Sequence, residues 1–151
     1  MSYADALRAA TPTLETAATL IEGLLARYDI YTSTTTINTT STSLADMTGV
    51  EVSVTPASGD LVLLFGQYTF SHGTNEGTAN INLTRDGSTI TDSQRSVASR
   101  ADTAGADSQL TCIFIEAPAA GAHTYKMQWA TAAGTLYSSR QRLIALVLRN
   151  S

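Results

Sequence analysis

The sequence predicts an all-β sandwich or barrel of roughly eight strands, preceded by one short amphipathic helix. Three observations carry this. Apolar residues recur at helical spacing before Asp29 and not after it. Beyond that point they follow period two or form short continuous runs. Turn signals built on Gly, Pro and Asp separate these runs at spacings of about 8–15 residues.

The helix comes first. Thr11 can cap it, Pro12 suits its first position, and Glu15 lies in its first turn. Leu14, Ala18, Ile21, Leu25 and Tyr28 then follow 4-3-4-3 spacing, which makes one continuous stripe. Such a stripe either packs on its own domain or pairs with copies of itself, and two heptads do not separate these. Residues 1–30 therefore read as a helical anchor or oligomerisation segment, with Leu14, Ile21, Leu25 and Tyr28 as its contacts. Residues 31–47, which include "YTSTTTINTTSTS", are β-branched and polar with no apolar face, a linker or an edge strand.

Strands fill residues 48–151. "TGVEVSVTP" alternates, with Val50, Val52 and Val54 on one face and Glu51 and Ser53 on the other. "LVLLFGQYTFSH" is apolar on both faces in its first half. "TANINLTRDGSTI" alternates, and Asp86-Gly87 supplies a hairpin turn whose left-handed dihedrals these residues tolerate. "RSVASRADTAGADS" gives a strand fragment and a loop, and "QLTCIFIEAP" is again two-sided. "HTYKMQWAT" puts His123, Tyr125, Met127 and Trp129 on one face, and Thr124, Lys126 and Gln128 on the other. "AAGTLYSSR" is a turn and short strand, and "RLIALVL" is two-sided to the end.

The two-sided runs are informative. An antiparallel sheet with one wet face should alternate. Leu61–Phe65, Leu110–Ile115 and Leu143–Leu148 do not, so their second face needs a cover, from the N-terminal helix or from another subunit. Composition agrees: of 151 residues only 15% are charged, against about 25% in an average soluble domain. Leu146 and Leu148 are accordingly candidate interface residues.

Several chemistries are excluded by composition and motif. With net charge −4 and no Lys/Arg cluster, nucleic acid is not the main ligand. No apolar run approaches the ~18–20 residues of a membrane helix. The N-terminus lacks the basic-then-apolar signature of a secretory signal. Cys112 is the sole cysteine, which rules out an intrachain disulfide and a thiolate metal cluster, and its apolar surroundings predict a buried thiol. His72 and His123 lie at strand ends without metal-ligand spacing, and neither "GxSxG" nor "HExxH" occurs. Asp86 with Asp92 and Asp102 with Asp107 read as solvated turn acids rather than a calcium loop. The sequence therefore predicts no enzyme, no cofactor and no metal.

The order of elements from about Thr48 to Leu148 resembles the tumour-necrosis-factor-like and complement-head-like jelly rolls. The resemblance rests on "SGDLVLLFGQYTFSHGTNEGTANINLTRDGSTI" and "SQLTCIFIEAPAAGAHTYKMQWATAAGTLYSSRQRLIALVL". It implies a jelly-roll sandwich of 8–10 strands assembled as a homotrimer. It further implies that the strand His123–Trp129 lies in the inner sheet near the three-fold axis, with Lys126 and Gln128 meeting a neighbouring subunit. The Ala/Thr-rich, Lys-poor, signal-less sequence is most similar to the trimeric jelly rolls of tailed-bacteriophage virions. The expectation is a non-enzymatic capsid decoration or head-fibre protein, made in the host cytoplasm and displayed on the virion. Its N-terminal segment would attach it to the major capsid protein or another virion protein. The alternative is a tail-fibre or receptor-binding module for carbohydrate or a host surface. That reading calls for Tyr68, Tyr125, Tyr137 or Trp129 at the surface.

Overall fold

A computed structural model of the chain describes residues 27–73, 77–99 and 107–149. The helical stripe Leu14, Ile21 and Leu25 lies outside the described residues, as does the loop that holds Asp102. Ten strands follow in order: β1 (Tyr28–Ser33), β2 (Ile37–Thr39), β3 (Ala45–Val54), β4 (Leu61–His72) and β5 (Gly77–Arg85). Then come β6 (Ser88–Thr89), β7 (Arg95–Ser99), β8 (Ser108–Glu116), β9 (His123–Thr131) and β10 (Leu136–Leu148). All pair antiparallel in two five-stranded sheets. One has the order β1-β10-β4-β8 with β2 beside β10; the other is β3-β9-β5-β6 with β7 beside β5. The long strands β3, β4, β5, β8, β9 and β10 alternate between the sheets, which is the winding of a β jelly roll.

Period-two patterning fixes which face looks inward. β3 buries Val50, Val52 and Val54 and exposes Glu51 and Ser53. β9 buries Tyr125, Met127 and Trp129, and β5 buries Ala79, Ile81 and Leu83. From the opposite sheet β4 contributes Val62, Leu64, Tyr68 and Phe70 to the same core. Tyr68 lies edge-on to Trp129 with ring centroids 6.0 Å apart. Gly66 sits in this inner row because a Cβ there would come within 2.9 Å of Met127 Sδ. Asp86 and Gly87 both take positive φ (51° and 80°), the dihedrals of the predicted hairpin turn.

One placement differs from expectation. Tyr28, assigned to the helical stripe, is the first residue of β1 and pairs with Leu146. It begins a β-branched and aromatic segment, and pairing with β10 decides its conformation. Together, β1 and β2 supply one edge of the sandwich, from residues assigned to the helix and the Thr-rich stretch. β9 lies between β3 and β5, in the sheet opposite β4, β8 and β10. A strand with one apolar and one polar face fits a sheet whose back is wet, and the strands with two apolar faces gather in the other sheet.

Candidate functional site: the outer face of the β1-β10-β4-β8 sheet

The three two-sided segments of the sequence are adjacent strands. Register aligns their outward side chains into rows. Tyr28, Leu146, Leu63 and Ile115 stand side by side across four strands. The next row is Ile30, Ile144, Phe65 and Ile113. Leu148 and Leu61 extend the patch past the first row. The relative exposures are large: Ile113 57%, Ile115 53%, Tyr28 50%, Ile30 48% and Leu61 38%. Single exposed apolar residues are ordinary, but a contiguous patch of this kind marks an interaction surface.

The same face turns polar one row further along. Thr32, Arg142, Gln67 and Thr111 form the third row, and Arg140, Thr69 and Gln109 the fourth. Gln67 Nε2 donates to Thr111 Oγ1 at 3.3 Å. The sheet is irregular here. β10 shifts register against β4 between Ser138 and Arg140. The bulge is fixed from inside by buried Gln141, whose Nε2 donates to the Ser138 carbonyl at 3.0 Å and to Ser138 Oγ at 2.8 Å.

Of the residues singled out from sequence, Tyr28, Leu146 and Leu148 belong to this face. Lys126 and Gln128 do not share it. They lie on the outer face of the other sheet and are engaged within the chain. Lys126 Nζ is 3.2 Å from Asp46 Oδ2 and 3.7 Å from Glu51 Oε2, and Gln128 Nε2 donates to Asp46 Oδ1 at 2.8 Å. The Gln128 and Lys126 contacts hold the Asp46 carboxyl below its ordinary range. Leu63, Phe65, Ile113, Ile115 and Ile144 were visible in sequence only as members of apolar runs, and Ile30 belonged to none. That they touch one another follows from strand order, which periodicity does not carry.

The titratable groups cluster elsewhere, at one rim of the sandwich. His123 Nδ1 lies 2.7 Å from Asp86 Oδ2, and Nε2 lies 2.9 Å from the Ala119 carbonyl. Both ring nitrogens therefore face acceptors, an arrangement that only the imidazolium satisfies. The Asp86 hydrogen bond, aided by the Ala119 carbonyl, raises the His123 pKa above 6.5, while His123 and the Thr124 amide lower that of Asp86 below 3.8. Among the described residues no nucleophile shares this ring, so the pair is a clamp between the β5–β6 turn and the loop before β9. Its sign is fixed. A raised histidine pKa gives stability that is complete below about pH 6.5 and lost as pH rises through the folded value. The lowered Asp86 pKa gives stability that is lost as pH falls below about 3.8 toward its folded value. Replacing His123 with Ala should thus lower the melting temperature more at pH 5.5 than at pH 8.5. Equal losses at both pH values would show that the pair does not titrate as described.

Nearby, Tyr125 donates to Glu116 Oε1 at 2.7 Å and Arg85 Nη1 to Glu116 Oε2 at 2.9 Å. Burial, then the Glu116 contact, pushes the Tyr125 phenol up. Cys112 is buried, donates to the Ser93 carbonyl at 2.9 Å, and has its thiol pKa raised by burial, the opposite of a reactive thiolate. Of the four aromatics wanted for a sugar platform, Tyr68, Tyr125 and Trp129 are in the core and only Tyr137 is exposed. Among the described residues no cluster of His, Cys, Asp or Glu could hold a metal, and no helix is long and apolar enough to cross a membrane.

These features define a β jelly-roll sandwich with one partly apolar sheet face. Among solved structures the fold is similar to that in infectious bursal disease virus, Gx strain. There the TM-score is 0.53 at 15% identity, over 83% of this chain and 33% of that one. The T13 particle of infectious bursal disease virus gives 0.52 at 13%, over 80% and 31%. Eiger TNF from S. frugiperda gives 0.47 at 11%, over 83% and 95%. The chain spans about a third of the viral chains it matches. No family model matches the sequence. No curated protein sequence matches it.

Proposed function

We propose that the protein is a non-enzymatic structural component of a virion, a capsid decoration or head-fibre protein of a bacteriophage. In this reading three copies associate through the apolar rows on the outer face of the β1-β10-β4-β8 sheet, and the segment before β1 attaches the trimer to the capsid. The apolar patch on that face is the observation that carries the reading.

Size argues for another copy of the chain as the cover. The apolar rows run from Leu61 to Phe65 of β4 and across four strands at about 4.8 Å spacing, a patch on the order of 300 Å² in projection. A single helix, about 10 Å across, covers less than the full width of four strands with their side chains. The jelly-roll likeness to virus-particle structures supports a place in a virion. Trimerisation supports attachment too, since linked copies raise the effective concentration of each further contact.

The test uses phage particles in a density gradient. Full-length protein should band with the particles, and a chain that starts at Arg27 should remain folded at the top. Full-length protein left at the top would overturn the virion assignment. Normal banding of the truncated chain would overturn the anchor.

A further inference from the structure

The polar half of the same face contains a built gap. β1 ends at Ser33, opposite Gln141, and β2 resumes at Ile37, opposite Ser138. Ser139 and Arg140 lie between, without a laddered partner on that edge. On its other edge β10 shifts register at the same point. A strand break and a bulge thus coincide, and bulges re-aim side chains where a site is formed. Beside it, across β10, β4 and β8, the outer face holds a cavity of about 250 Å³, whose lining includes Thr32, Gln67, Thr69, Gln109, Arg140 and Arg142.

Its chemistry is one-sided. Two arginines, whose guanidinium groups carry a positive charge, line a cavity with no acid in its lining. Among the described residues neither Arg140 nor Arg142 makes an ion pair, whereas Arg27 is held by Asp60 and Arg85 by Glu116. Gln67 spends its amide N–H on Thr111, which leaves its carbonyl oxygen as an acceptor. Hydroxyls and amides complete the wall. Such a site offers a fork for an oxyanion and both donors and acceptors for hydroxyl groups.

We propose that this cavity binds a small anionic, hydroxyl-bearing group, a carboxylated or phosphorylated sugar unit. Arg140 and Arg142 hold the oxyanion, and Gln67, Thr69 and Gln109 hold the hydroxyls. The site belongs to one chain and begins one row beyond the apolar rows assigned to self-association.

The experiment titrates the full-length protein with D-glucuronate, inorganic phosphate and D-glucose at constant ionic strength, by calorimetry or by chemical shift. Saturable binding of glucuronate, with glucose silent, supports the site and identifies a carboxylated sugar. Saturable phosphate binding supports it and identifies a phosphoryl group. Arg140→Gln and Arg142→Gln should each weaken the binding about tenfold or more with particle mass unchanged. No saturation with either anion overturns the proposal, as does binding that survives both substitutions. Loss of the oligomer in Arg142→Gln also overturns it, because the arginines would then belong to the subunit contact. If the chain proves to be a monomer that still binds glucuronate, the self-association reading falls and this one stands.

Discussion

Ile113→Asp should turn the assembled protein into single chains that remain folded. In the isolated chain Ile113 is 57% exposed, on β8 at the edge of its sheet. A charged side chain there costs a monomer little, within about 0.5 kcal/mol for a surface change of this kind. In a subunit contact the same carboxylate is desolvated among Phe65, Ile115 and their partners, at a cost of several kcal/mol. The substitution therefore separates the two states: melting of the monomer barely moves, and particle mass falls. Two controls sharpen it. Thr111→Asp, two residues away in the polar row, should leave the mass unchanged, and Ile115→Asp should act like Ile113→Asp. An unchanged mass in both isoleucine variants would remove this face from the interface.

Tyr68→Ala should cost about 3–5 kcal/mol, the range for deleting a large buried aromatic. Tyr68 is 0% exposed, tilted against Phe70 with centroids 5.6 Å apart and edge-on to Trp129. Its hydroxyl donates to the Asn80 carbonyl at 2.9 Å, which ties β4 in one sheet to β5 in the other. Tyr68→Phe keeps the ring and removes only that bond, so it should cost about 1–2 kcal/mol. Since a domain holds roughly 5–15 kcal/mol in all, the alanine variant removes a large part of the total. Urea denaturation of both variants measures this. Equal losses would assign the stabilisation to the hydroxyl rather than to the ring.

Much of the fold was legible because strand faces obey period two. Val50, Val52 and Val54, or Tyr125, Met127 and Trp129, declare their inward face without any tertiary information. The Asp86-Gly87 turn was legible for the same local reason. The N-terminal boundary was harder. Tyr28 fits a helical stripe by spacing, yet its pairing with Leu146 spans most of the chain. The face proposed as an interface was half legible. Each two-sided run announced that its back needs cover, but Leu63, Ile115 and Ile144 come from strands far apart in sequence. Only strand order makes them neighbours. Lys126 and Gln128 meet Asp46 of β3, a contact that only strand order brings about. The gap at Arg140 was not legible at all, since a bulge and a strand break leave no period to read.

The central claim is that this sheet face joins three copies of the chain. Light scattering at micromolar concentration tests it most directly, on the full chain and on a chain that starts at Arg27. Three times the single-chain mass for both is the predicted result. A single-chain mass for both would contradict the claim, and so would a single-chain mass for the full-length protein alone, which would mean that its own N-terminal segment covers the patch.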